Sequence, residues 1–348
     1  MNIQANYPLS QLTTFHLGGP AKYYCKVANI DELGEALDFA RGKNLPILIL
    51  GGGSNMLVAD RGFAGLVVQV DVKGIELIDD SIKVGAGEIW DDVVVFAMNN
   101  NLWGMENLSN IPGLTGAIPI QNVGAYGQEA SQIVKEVEVF NLRTSQIKIV
   151  NNEECGFGYR KSHFNTDWKN QFVILSVTFQ LSKIAKPNLT YVDVKKYFGE
   201  KINPTIAEIR EAIIEIRKKK FPNLSEFGTA GSFFKNLILS QRHYDTLVYY
   251  SKQNFSEETV AMLEEIKTKF PIKQGIKIPS AFLIDICGLK GKSAGGARLW
   301  EKQALVIVTS SGAKSSDVLE LYNQVKAEVL AKTGMTLEPE PELVGFNI

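Results

Sequence analysis

The chain has 348 residues, 45% hydrophobic and 22% charged, the composition of a globular protein of two or three domains with ample core. Its 37 Lys plus Arg against 38 Asp plus Glu leave a formal net charge of −1, which excludes a global basic field for nucleic acid. No apolar run approaches a membrane span, the N-terminus MNIQANYPLSQLTTF lacks the basic and apolar regions of a signal peptide, and the scattered Cys25, Cys155 and Cys287 form no CxxC pair, so neither a disulfide framework nor a zinc site is indicated and a reducing cytoplasm is expected.

In chain order the pattern is mixed α and β. Asp31 to Lys43 predicts a helix, with Leu33, Ala36, Leu37 and Ala40 on one face. The apolar run Pro46 to Leu50 predicts a strand that enters the tight turn Gly51-Gly52-Gly53-Ser54-Asn55. Leu66 to Val70 and Ser81 to Ala86 read as strands, Glu88 to Asn100 as a helix through Trp90, Val93, Val94 and Ala97, and Ile133 to Leu142 as an alternating strand. The composition shifts over Lys186 to Asn203. Pro204 then precedes Thr205-Ile206-Ala207-Glu208, a capping-box pattern, and Ile206, Ile209, Ile213 and Ile216 continue a helix. That helix ends in Arg217-Lys218-Lys219-Lys220, where cations suit the negative end of its dipole, and Pro222 stops it. Ser256 to Phe270 and Ser316 to Thr333 predict further amphipathic helices, the second stopped by Gly334. A domain boundary is expected near Lys218 to Asn223, and there is no internal repeat.

The stretch Ile111 to Gly127, IPGLTGAIPIQNVGAYG, follows neither the helical nor the strand period. Pro112 and Pro119 each remove a donor, and Gly113, Gly116, Gly124 and Gly127 permit close backbone approach. Ile111, Leu114, Ile118, Ile120 and Val123 are too apolar for disorder. A long irregular run needs partners for its buried backbone groups, and a large polar ligand could supply them, so a ligand-cradling segment is expected.

Other stretches are less specific. Gly51 to Asn55 after a strand suits a phosphate nest or an ordinary glycine turn. It is no dinucleotide fingerprint, because Met56 stands where GxGxxG needs glycine. Gly291-Lys292-Ser293 resembles the end of a P-loop, but Ile286 replaces its first glycine. His16, His163 and His243 have no metal-ligand spacing and there is no GxSxG elbow, so the histidines are expected to be structural or surface residues. Tyr159-Arg160 puts a fixed cation beside Gly156 and Gly158, or is a plain surface pair. Thr229 to Asn236 gathers small polar residues, two aromatics and a lysine; its simpler reading is a turn entering a buried strand. Leu337-Glu338-Pro339-Glu340-Pro341-Glu342 reads by composition as a solvated acidic tail.

Five stretches occur in one order: GGGSNML at 51–57, IPGLTGAIPIQNVGAYG at 111–127, CGFGYR at 155–160, GSFFKN at 231–236 and LEPE at 337–340. From about Thr14 to Gly345 the set resembles the UDP-N-acetylenolpyruvoylglucosamine reductase (UDP-N-acetylmuramate dehydrogenase) family, flavoenzymes of bacterial peptidoglycan precursor synthesis. Leu289-Lys290-Gly291, Gly295-Gly296-Ala297 and Gln303-Ala304-Leu305-Val306 agree with it. Leu189-Thr190-Tyr191 looks like the substrate-covering loop of the subgroup that carries this insertion.

The resemblance implies an α+β chain, with a two-subdomain FAD-binding fold of the vanillyl-alcohol-oxidase (PCMH) type and a C-terminal α+β substrate-binding domain. Its parts would be residues 1–70 with the tail 333–348, residues 71–221, and residues 222–332. FAD, held non-covalently, would lie against Gly51, Gly52, Gly53, Ser54, Asn55 and Met56, and against Pro112, Gly113, Gly116, Ile118, Gln121, Asn122, Gly124 and Ala125. The family reaction has NADPH reduce FAD. The flavin then passes hydride to the β-carbon of the enol ether in UDP-N-acetylglucosamine enolpyruvate, both substrates using one site in turn. Matching motifs assign Arg160 and Glu340 to the developing negative charge and Ser232 to proton donation. Tyr126, Tyr159, Tyr191, Arg217, Lys220 and Asn236 match substrate contacts. No metal, nucleic acid or membrane insertion is implied, and the chain is expected to be a monomer. Some members carry an arginine two residues after the glutamate; here that position is Glu342, which changes the charge around Glu340. Another oxidoreductase of the same fold, or a non-catalytic flavin- or nucleotide-binding module, is the alternative.

Overall fold

The computed structural model describes residues 1–201, 203–269 and 275–346. The chain forms two compact units, one of Met1–Pro8, Pro20–Gly53 and Phe63–Lys219, the other of Leu9–Gly19, Ser54–Gly62 and Lys220–Ile348.

The first unit holds a four-stranded and a five-stranded sheet, besides a short two-stranded one. The strands Ile3–Pro8, Pro20–Val27, Phe63–Val70 and Ile47–Leu50 lie in that order, the first pair antiparallel and the others parallel. Helix α1, Ile30–Gly42, buries Leu33, Ala36, Leu37 and Ala40, and the Asn29 side chain caps it by accepting from the Glu32 amide. The second sheet is antiparallel, in the order Ile147–Asn151, Val134–Asn141, Phe172–Gln180, Ser81–Gly85 and Ile75–Ile78. Its central strand, FVILSVTFQ, is buried at seven consecutive positions. A strand covered on both faces has no period of two, and periodicity alone therefore does not reveal it.

Helix α2 runs from Trp90 to Asn99, not from Glu88 as the sequence predicts. Glu88 and Ile89 are extended: the Glu88 carbonyl accepts from the Thr115 amide at 2.9 Å, and Ile89 forms a bridge with Leu114. Trp90 is fully buried and its indole donates to the Leu108 carbonyl at 2.9 Å. Two helices complete the unit, α3 at Val192–Phe198 and α4 at Ile206–Lys220. The capping box is present, with the Glu208 carboxylate accepting from the Thr205 amide at 2.8 Å.

The second unit packs α5 (Gln241–Asn254), α6 (Glu257–Lys269), α7 (Ser280–Ile286) and α8 (Ser315–Thr333) around one apolar core. The predicted helix end at Phe270 lies outside the described residues. Ser293–Ala294, Ala297–Leu299 and Ile307–Thr309 form a small antiparallel sheet. The acidic tail exposes Glu338 and Glu342, as its composition suggests, but its backbone is anchored. Leu337 is fully buried, and Glu342–Val344 pairs in parallel with Met56–Val58. A parallel ladder and a buried leucine hold this segment, and its carboxylates do not free it.

Candidate functional site

In the first unit the strand Ile47–Leu50 delivers Gly51, Gly52 and Gly53. Gln69 donates to the Gly51 carbonyl at 3.2 Å, and Gly53 is left-handed at φ 60°. A Cβ built on Gly52 would stand 3.0 Å from the Gly113 Cα and 3.3 Å from the Leu114 nitrogen. Two glycine backbones are thus in near contact, which only glycine permits. Gly113 is itself left-handed at φ 129°, and a Cβ on Gly116 would come within 2.8 Å of the Ala86 Cβ. A side chain at Gly52 or Gly116 would force these backbone segments apart.

The cradle's backbone is already well partnered. Trp90 donates to the Gly113 carbonyl at 3.1 Å, the Gly116 amide donates to Ala86 at 2.9 Å, and the Val123 amide to Ile118 at 3.1 Å. Residues around the preceding strand and α2 thus supply part of the backbone partners that a ligand could also supply. Ahead of Pro112, the Asn110 amide donates to Asp91 at 2.6 Å, and Arg210 of α4 holds the same carboxylate through both nitrogens at 2.7 Å. Burial opposes ionising Asp91, but Arg210 and the Asn110 amide outweigh it and hold the carboxyl below its ordinary value. Nothing in the sequence pattern marks this pair, since its partners lie 119 residues apart.

Ile118 and Asn122 are buried, while Gln121 is half-buried. The Asn122 carboxamide is used within the protein: it donates to Glu129 and to the Gly158 carbonyl, both at 3.0 Å, and accepts from the Ser131 amide at 2.8 Å. Gly124 and Ala125 pair with Gln128 and Glu129. Arg160 is left-handed at φ 52°, its Nη2 donates to the Gly124 carbonyl at 2.8 Å, and its guanidinium carbon lies 5.3 Å from the Tyr159 ring centre. Tyr126, left-handed at φ 50°, meets Tyr191 edge-on with ring centres 5.3 Å apart. Burial pushes the Tyr126 phenol up to about 12, with Arg217 opposing the shift, so the phenol stays protonated. Burial likewise lowers the Arg217 guanidinium, and Tyr126 opposes that.

In the second unit, Gly231 turns at φ 74° and Ser232 begins an extended stretch bridged to Val306. Phe233 and Phe234 are fully buried and anchor it. The tail lies along its other edge: Glu340 donates its amide to the Phe233 carbonyl at 2.7 Å, and Lys235 donates its amide to Glu338 at 3.0 Å. Ser232 and Glu340 therefore sit on hydrogen-bonded neighbouring segments. Asn55, which follows Ser54 and precedes the strand starting at Met56, donates to the Glu340 carbonyl at 3.3 Å, and its own carbonyl accepts from Glu342 at 3.0 Å. Asn236 accepts from the Ser280 amide at 3.1 Å, and the Lys220 carbonyl accepts from the Trp300 indole at 3.0 Å.

The remaining chemistry-bearing groups are held elsewhere. His163 contacts Asp167 at 2.8 Å and leans on Trp168. All three thiols are buried, and burial pushes Cys155 up to about 12 and Cys25 and Cys287 up to about 11. Among the described residues no group of His, Cys, Asp and Glu could hold a metal, and no helix is long and apolar enough to cross a membrane.

Residues 223–344 match the UDP-N-acetylenolpyruvoylglucosamine reductase C-terminal domain, and residues 21–150 match an FAD binding domain. A UDP-N-acetylenolpyruvoylglucosamine reductase of Bdellovibrio bacteriovorus is 38% identical over 347 residues, covering 98% of this chain and 99% of that protein. The Flavobacterium johnsoniae protein of the same name is 36% identical over 352 residues, covering 99% of this chain and 100% of the other. The crystal structure of the Thermus caldophilus reductase superposes with a TM-score of 0.67 at 26% identity, over 99% of this chain and 98% of that one.

Proposed function

The chain belongs to the UDP-N-acetylenolpyruvoylglucosamine reductase family, and from that premise we propose how its residues divide the work. It is an FAD-dependent oxidoreductase of peptidoglycan precursor synthesis, reducing the enolpyruvyl group of UDP-N-acetylglucosamine enolpyruvate to give UDP-N-acetylmuramate. The glycine cradle fits the cofactor, because a Cβ at Gly52 would press on the Gly113 backbone at 3.0 Å and shift the segment that lines it. Gly51 to Met56 and the contact set from Pro112 to Ala125 would hold FAD, which when bound relays a hydride from NADPH to the enol-ether β-carbon. Burial and suppressed ionisation of every thiol disfavour a cysteine link to the flavin, in keeping with FAD held non-covalently.

As the β-carbon gains hydride, negative charge develops at the α-carbon and spreads into the adjoining carboxylate. Arg160 receives that charge, its planar guanidinium already oriented by the Gly124 carbonyl. Ser232 gives a proton to the α-carbon, completing the addition of two hydrogens across the double bond. A carboxylate beside developing negative charge would repel it, so Glu340 serves in a form that donates a hydrogen. The observation that carries this division is the pairing of the Glu340 amide with the Phe233 carbonyl, which puts the proton donor and the acid on adjacent segments. Tyr126, Tyr159, Tyr191, Arg217, Lys220 and Asn236 bind the sugar nucleotide, and NADPH uses the same site in turn. The working parts are residues 1–70 with 333–348, residues 71–221 and residues 222–332, in a monomer of the cytoplasm. The test is anaerobic turnover with the product identified by mass. One NADPH consumed per substrate, with a product heavier by two hydrogens, supports the reading; NADPH consumption that needs oxygen and leaves the enolpyruvyl compound unchanged overturns it.

A further inference from the structure

Asn107 lies outside every motif named above and is only 1% exposed. Its Nδ2 donates to two carbonyl oxygens, that of Tyr126 at 2.8 Å and that of Asn188 at 2.9 Å. Both partners can only accept, so the amide nitrogen, not the oxygen, must face them. Oδ1 is buried with no partner among the described residues. An unsatisfied buried acceptor is costly, so this position keeps an amide for its donors and not for its shape.

A second rung runs the other way. Asn188 Nδ2 donates to the Gly127 carbonyl at 2.9 Å, while its Oδ1 accepts from the Thr190 amide at 3.2 Å and from the Thr190 hydroxyl at 2.7 Å. The stretches are in contact: a Cβ on Gly127 would meet the Thr190 hydroxyl at 3.2 Å. Asn188 is three residues before Tyr191, whose ring stands edge-on to Tyr126. Tyr191 is 37% exposed against 7% for Tyr126. The base of the loop is thus fixed and its tip is open.

We propose that Asn107 is a positioning residue for the reduction: its carboxamide clamps the base of the Leu189–Tyr191 loop to the Tyr126 backbone, and so sets where Tyr191 meets the sugar nucleotide. This deepens, and rests on, the reading of Tyr126 and Tyr191 as substrate contacts. Asn107 itself touches no reacting atom.

The variants are Asn107→Ala and, should that fold poorly, Asn107→Asp, which keeps the volume but cannot donate to either carbonyl. Loss of the clamp is expected to raise the apparent Kd of the enolpyruvyl sugar nucleotide about tenfold or more, the scale of the one or two hydrogen bonds that hold it. Flavin content and the rate of flavin reduction by NADPH should stay within about threefold, since the two lost hydrogen bonds go only to the Tyr126 and Asn188 carbonyls. Hydrogen exchange over residues 187–192 should speed up in the ligand-free protein. Asn188→Ala should act on the same quantities, and the double variant should fall short of the sum, because both cut one clamp. Unchanged exchange over 187–192, or a Kd that does not move in a folded Asn107 variant, overturns the inference. A wild-type protein whose reduced flavin ignores the sugar nucleotide would overturn the functional reading instead, and the two failures are told apart by that control.

Discussion

Arg160 Nη2 donates to the Gly124 carbonyl at 2.8 Å, so the guanidinium is tethered to the backbone of the cradle that begins at Pro112. Its left-handed backbone, φ 52°, is strained for a residue with a Cβ. One nitrogen is spent on aiming the guanidinium. Arg160→Lys keeps the charge and loses the planar guanidinium. Turnover should fall on the order of 100-fold or more, with flavin content and melting temperature close to wild type. Near-normal turnover in such a variant removes Arg160 from the reaction.

Ser232→Ala should separate the half-reactions. Reduction of FAD by NADPH needs no proton from Ser232, so bleaching persists. Reoxidation by the enolpyruvyl compound slows sharply. The hydroxyl adds little to a stretch anchored by Phe233 and Phe234, so folding survives. Ser232→Cys should recover part of the activity, a thiol being the stronger acid. Stopped-flow flavin absorbance with each substrate separately distinguishes these outcomes; reoxidation at the wild-type rate in Ser232→Ala excludes the hydroxyl as proton donor.

Gly52→Ala should yield a folded but flavin-poor protein. The new methyl would stand 3.0 Å from the Gly113 Cα, and backbone on that side cannot turn away as a side chain would. The ratio of visible to ultraviolet absorbance after purification checks it, with circular dichroism as the control for folding. Full flavin content in the variant would show that the cradle is wider than the cofactor needs.

Arg210→Met should destabilise the first unit by on the order of 1–2 kcal/mol at neutral pH, the range between exposed and buried ion pairs. The pH dependence has a fixed sign. Asp91 has a folded value below its unfolded one of about 3.9. Its contribution is therefore fully present above that pH and is lost as pH falls through the depressed folded value. The gap in melting temperature between wild type and variant should be wide at neutral pH and close on strong acidification. A gap that widens in acid contradicts the pairing.

Local chemistry is more legible in this sequence than long-range contact. Helix α1 and the Thr205–Glu208 capping box follow from period and cap residues within one turn. The strand Phe172–Gln180 does not, because burial on both faces erases its period. Ile111 to Gly127 reads as an aperiodic glycine-proline cradle, yet the partners that fix it, Ala86, Glu88 and Trp90, contribute backbone groups that carry no sequence signal. For the same reason composition reads the exposed carboxylates of the tail and misses its ladder to Met56–Val58, which crosses nearly the whole chain. Motif order reaches Ser232 and Glu340 singly, and only the folded chain shows their segments paired. Asn107 and Asp91 belong to no motif, and their roles emerge from partners far away in sequence.

The most direct measurement is the visible spectrum of the purified protein, taken anaerobically in three states: as isolated, after one equivalent of NADPH, and after UDP-N-acetylglucosamine enolpyruvate is added. The protein should be yellow from FAD released by acid, bleach with NADPH, and regain its oxidised spectrum with the sugar nucleotide as UDP-N-acetylmuramate forms. A colourless protein, or a reduced flavin that stays bleached in the presence of the enolpyruvyl compound, would contradict the account.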